Sequence, residues 1–174
     1  MVTREERDSA VDEISYRMID VLYSWMINER ANLDGFIADP ENHVDFNPYL
    51  VIDFDALSQR SVGLGNVADA LLLVSQYKKG DESVTRTMHD IAIESVPVII
   101  WKRLYDWMDK RANDMQKFLQ DAQSNPPVPL DDYKQFVSFD TGKYLAELQM
   151  YISSRDGLAI VIQYAEEEGL GIGS

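Results

Sequence analysis

Asp39, Glu41, His43 and Asp45 alternate along the chain, and in an extended conformation their oxygens and ring nitrogen would project to one side. Such a cluster could hold Ca2+ or Mg2+, although Pro40 interrupts it and the turn glycine of an EF-hand loop is missing. Glu5, Glu6, Asp8, Asp12 and Glu13 offer a second set of carboxylates at helical spacing, the kind of array that holds Mg2+ in helical nucleotide hydrolases. Asp8 and Asp12 lie off the apolar stripe of their helix, however, where a solvated, acid-rich helix start is expected anyway. His89 is a candidate general base with no second His and no Cys near it in sequence. Gly63-Leu64-Gly65-Asn66-Val67-Ala68 has the letters of a dinucleotide fingerprint, but the polar Ser58-Gln59-Arg60-Ser61 stands where a buried strand is required. A glycine-containing turn before a helix starting at Asn66 is the expectation there.

The whole chain has no cysteine and two histidines in 174 residues, which removes the commonest nucleophiles, bases and zinc ligands. Its 30 acids against 16 bases give a formal charge of −14, so the average surface repels phosphates and direct nucleic-acid binding is not expected. Three Trp, nine Tyr and six Phe exclude a disordered acidic tail. The longest apolar run, Val96-Pro97-Val98-Ile99-Ile100-Trp101, is far short of the roughly 20 residues of a membrane span, so neither membrane association nor a secretory signal is expected. The absence of cysteine favours the cytoplasm.

The elements that would carry these groups are helices. Thr3-Arg4-Glu5-Glu6 reads as a capping box. Val11, Ile14, Met18, Val21 and Trp25 then continue one apolar stripe, predicting a single helix from Arg4 to about Asn32. From 34 to 65 periodicity lapses among Pro, Gly, Asp and Asn, predicting a long irregular acidic insertion in which Tyr49-Leu50-Val51-Ile52 is a short strand or a segment pinned on the core. Helices follow from Asn66 to Lys79, after Asp81, and from Ser95 through Trp101, Leu104, Met108, Met115 and Phe118. Arg103, Lys110 and Lys117, with Lys102 and Arg111, form the one dense basic region, on the polar side of that last helix. A Pro-rich linker at 124–129 precedes a C-terminal helical pair, one helix opening at Thr141 and one capped by Ser153 or Ser154. No internal repeat is expected. The fold class is all-α, a bundle of five to seven helices with one long irregular insertion, in one helical domain spanning 1–174.

Functionally the pattern predicts a non-enzymatic acidic binding protein without cofactors. It would inhibit or regulate a basic, nucleic-acid-handling partner protein, in the manner of phage or immunity modulators. Its contacts would be Asp39, Glu41, Asp45, Asp53, Asp55, Glu166, Glu167 and Glu168, helped by exposed aromatics. Two other functions fit the composition: an assembly protein that homo-oligomerises through the Val11–Trp25 or Trp101–Phe118 stripes, and a carboxylate-dependent Mg2+ nucleotide hydrolase using Asp12 and Glu13.

Overall fold

The computed structural model describes residues 1–124 and 138–169. The described residues are all-α, with six α-helices and one short 3-10 turn: α1 (Arg4–Glu13), α2 (Tyr16–Ala38), η1 (Pro40–Asn42), α3 (Phe54–Lys78), α4 (Arg86–Ser95), α5 (Val98–Ser124) and α6 (Thr141–Glu167). They form two compact units, one of residues 1–15 with 99–167 and the other built on 16–98.

In the first unit α1, α5 and α6 share a core. Trp101, Leu104, Met108 and Ala112 of α5, Leu158 and Val161 of α6, Ala10 and Val11 of α1, and Ile14 just after α1 are all buried. The apolar stripe of α5 is therefore inward from Trp101 to Met115, as its spacing predicts, while Phe118 at its end is exposed. Antiparallel pairing of α5 with α6 is fixed at successive levels by Lys102 with Glu166, Asp109 with Arg155 (3.0 Å) and Arg111 with the Tyr151 hydroxyl (3.1 Å). In the second unit α2 and α3 are antiparallel and α4 returns along α3, burying Met18, Ile19, Leu22, Met26, Leu71, Val74, Ala92 and Ile93.

Contrary to the sequence expectation, the chain is an internal duplication. Thr3, Arg4, Asp8 and Ala10 recur at one constant offset as Thr85, Arg86, Asp90 and Ala92. Leu22-Tyr23-Ser24-Trp25-Met26 recurs at the same offset as Leu104-Tyr105-Asp106-Trp107-Met108. Asp53, Asp69, Leu71, Val74, Gln76 and Tyr77 then recur, at a second offset, as Asp140, Asp156, Leu158, Val161, Gln163 and Tyr164. Backbone geometry repeats with them. Thr3 and Thr85 cap their helices at φ/ψ of −82°/162° and −79°/162°, and Ile14 and Val96 end them at −81°/121° and −80°/124°. Each repeat is thus a short helix followed by a long hairpin, and the short helices are exchanged: α1 lies on α6, and α4 lies on α3.

The same breaks overturn several expectations. The predicted helix from Arg4 to Asn32 is two helices, because the Ser15 amide donates to Ser154 Oγ (3.0 Å) instead of continuing the helical ladder. Ser154 is fully buried inside one continuous α6, so it caps nothing and the C-terminal pair is a single helix. The irregular stretch is shorter than 34–65: α2 runs to Ala38 and α3 begins at Phe54, leaving 39–53. Asp34, Gly35, Gly63 and Gly65 are helical rather than breakers. Gly65 lies against the Arg30 guanidinium, which a Cβ there would displace, inside a helix rather than in a strand-to-helix turn. Of the Pro-rich linker at 124–129, Ser124 ends α5 and the remainder lies outside the described residues.

Candidate interaction site

The segment between α2 and α3 is held at both ends. His43 is fixed by Asn32 Oδ1 at its Nε2 (3.1 Å) and by the edge of Phe36 (ring centroids 5.3 Å). The Asp45 amide donates to His43 Nδ1 (3.2 Å), so the proton on the neutral ring is at Nε2. Two turns follow, closed by Phe46 N–H to His43 O (3.0 Å) and Leu50 N–H to Asn47 O (3.2 Å), with the Tyr49 amide also bonded to Asn47 Oδ1 (3.0 Å). Asp53 then caps α3 by accepting the Ala56 amide at 3.0 Å.

The expected contact acids fall into two groups. Asp39, Glu41, Asp45, Asp53 and Asp55 are brought together in sequence and all face solvent along this one segment. Glu166, Glu167 and Glu168 end α6, and they too are exposed. Three acids at a helix C-terminus oppose its dipole, and the antiparallel neighbour supplies the reason. Glu167 accepts the Val2 amide (2.7 Å), just ahead of the positive start of α1, and Gln163 Nε2 (2.9 Å), and these bonds lower its pKa. Glu166 is paired with Lys102.

Apolar groups inside the first acidic segment escape sequence reasoning. Tyr49-Leu50-Val51 is neither a strand nor pinned on a core: Tyr49 is 92 %, Leu50 66 % and Val51 102 % exposed, and Val44 is 94 % exposed. The available signal is an apolar run within a Pro- and Asp-rich stretch that belongs to no helical period.

A second acidic surface lies in the first unit, an open groove of about 720 Å³ between α1 and α6. Glu5, Glu6 and Glu13 line one wall and Asp156 the other, over a floor at Gly157, where a Cβ would come within 2.6 Å of the Ala10 carbonyl oxygen. Glu6 is spent on the capping box, accepting the Thr3 amide at 2.7 Å, and Asp156 on Arg155 at 3.1 Å. Between α5 and α6 a smaller cavity of about 440 Å³ is walled by Trp107, Met115, Phe118 and Tyr144, with Lys110, Arg111, Asp114 and Glu147 at its rim. Lys110 is paired with Asp114 (2.7 Å), where spacing predicts Asp106 with Lys110 and Asp114 with Lys117, and Arg111 donates to the neutral Tyr151 hydroxyl.

The candidate chemistry is not assembled. Among the described residues no three of His, Asp and Glu come together in an arrangement that could hold a metal ion, so neither Asp39–Asp45 nor the acids of α1 make a ligand set. His89 is 1 % exposed, stacked on Tyr77 (centroids 4.3 Å), with Nδ1 at 3.1 Å from Asp90 and Nε2 buried without a hydrogen-bond partner. Burial holds its pKa below the usual imidazole range, with Asp90 opposing more weakly. A ring enclosed in this way cannot reach a substrate proton. Among the described residues no helix is long and apolar enough to cross a membrane. Comparison with protein-family models, curated proteins and solved structures finds no match to this chain.

Proposed function

We propose that this chain acts by binding rather than by catalysis, inhibiting or regulating a basic, nucleic-acid-handling partner protein in the cytoplasm. The reading is carried by one observation: Asp39, Glu41, Asp45, Asp53 and Asp55 all face solvent on a segment whose two ends are fixed. Carboxylates displayed on a defined scaffold steer a cationic surface into register and speed its capture, more than they add to final affinity. A formal charge of −14 repels phosphates, so the partner is a protein that carries the positive surface itself.

Immobilised chain is exposed to native lysate at low and at high salt, and what elutes is identified by mass spectrometry. The expected outcome is a basic protein retained at low salt and released at high salt, whose affinity for nucleic acid falls when free chain is added. Recovery of the chain alone, in a salt-resistant oligomer, would replace this reading with self-assembly. Turnover of a nucleotide with Mg2+, abolished by Asp12→Ala or Glu13→Ala, would replace it with hydrolysis.

A further inference from the structure

Apolar side chains scattered singly over a surface are ordinary, but Tyr49, Leu50 and Val51 are consecutive, and Val44 is exposed on the same loop. Among the described residues at the equivalent end of the first unit, the Phe139 ring meets Phe118 at 5.6 Å and Tyr144 at 5.3 Å. The position matching Phe139 in the first repeat is Ile52, which is half-buried, as are Phe36 and Leu57 at the positions matching Phe118 and Tyr144. Ile52 is thus turned partly inward at the position of Phe139, whereas the three residues before it face solvent. The turn bonds from Asn47 set their backbone in advance, which reduces the ordering cost of engaging them.

Resting on the binding function above, we infer that Val44, Tyr49, Leu50 and Val51 are its short-range anchor, entering an apolar pocket rimmed by Lys and Arg on a basic partner protein. Asp45 precedes the exposed run across Phe46-Asn47-Pro48, and Asp53 and Asp55 follow it across Ile52, so acids flank it on both sides. That frame repels an anionic lipid surface or a phosphate backbone and complements a cationic rim. The division of labour follows: the apolar residues set the lifetime of the complex, and the acids set its rate of formation and its salt dependence.

The test places the photocrosslinker benzoylphenylalanine at position 49 or, as a control, at the exposed Val62 of α3, in the full chain in native lysate. A basic protein crosslinked from 49 and not from 62 is the expected result. The purified crosslinked protein is then titrated with two variants. Tyr49→Ser/Leu50→Ser/Val51→Ser should weaken binding at least about tenfold at every salt concentration, mainly through faster dissociation. Glu41→Gln/Asp45→Asn should slow association and flatten the salt dependence. Unchanged far-UV circular dichroism and melting temperature show that neither variant acts through unfolding. If a basic partner is captured but the triple serine variant binds it as wild type does, the anchor is refuted while the binding function stands. Crosslinking from 49 only to a second copy of this chain refutes the basic partner as occupant, and failure to capture any basic protein overturns the binding function and the anchor together.

Discussion

The contact of α1 with α6 and that of α4 with α3 use equivalent residues and carry different charge. In the first, the buried Arg7 lies 4.9 Å over Tyr164 with Asp8 at 2.8 Å; in the second, the buried His89 lies on Tyr77 with Asp90 at 3.1 Å. One position thus holds a permanent cation and the other a ring that burial keeps neutral. Divergence in charge extends to the hairpins. Asp20 pairs with Lys79 at 2.8 Å in the first repeat, and the equivalent pair in the second is Lys102 with Glu166, with the signs reversed. Glu29 pairs with Arg60 at 3.2 Å, while the matching positions hold Arg111 and Glu147. If α2 paired with α6 instead of α3, Asp20 would face Glu166 and Glu29 would face Glu147. Reversed signs therefore oppose the mispairing that a duplicated sequence invites. The repeats keep core and caps in common and differ in charge and in the sequence of the loop after the first long helix.

The comparison can be broken most severely in the shared core. Leu22 and Leu104 are equivalent and fully buried, so Leu22→Ala and Leu104→Ala should each cost about 2–5 kcal/mol in chemical denaturation. A large loss for one and none for the other would deny that the two hairpins are equivalent. The next largest effect separates the short-helix contacts. Gly157→Ala drives a methyl group against the Ala10 carbonyl and should destabilise by about 1–3 kcal/mol, although Ala is the better helix former, whereas the matching position already carries Ala70.

These two contacts also show where sequence stopped being informative. The capping box at Thr3 and Glu6 was legible because its partners are three residues apart, and the α5 stripe because burial follows helical period. The break at Ser15 was not, because its amide is taken by Ser154, a partner distant in sequence, while the apolar stripe runs on unbroken through the break. The duplication was hidden by its own sign reversals, and by loops of unequal length between α2 and α3 and between α5 and α6. Of the candidate site, the acids were legible as an excess of one residue type. The outward Tyr49–Val51 run was not, since an apolar segment in an irregular stretch reads equally well as core.

A smaller effect distinguishes the paired cradles by pH. His89 has a folded pKa below the ordinary 6.5, so the unfolded chain binds the extra proton first, and stability is lost as pH falls from about 6.5 toward the folded value. His89→Arg, which imports the residue of the other cradle, should remove that slope even if it lowers stability at neutral pH by overpacking. An unchanged slope below pH 6.5 would place the titrating group elsewhere. Glu167, whose pKa is lowered, adds a separate loss at more acid pH, as protonation gives up the Val2 and Gln163 bonds. The smallest effect is the charge code itself. Lys79→Glu sets a carboxylate against Asp20 and should cost no more than about 1 kcal/mol, because both side chains are half in water. Adding Asp20→Lys restores an ion pair of reversed sign but withdraws the carboxylate that accepts the buried Ser75 hydroxyl at 2.5 Å, where the second repeat has Ile162, so thermal melts should recover that loss only with Ser75→Ile added.

Hydrogen–deuterium exchange of the chain, alone and saturated with its captured partner, locates the binding surface most directly. Slowed exchange across 43–53, with the amides of α4 and of the exposed side of α3 unchanged, is the predicted result. Protection confined to the α1–α6 groove or to α4, with 43–53 exchanging as in the free chain, would contradict it.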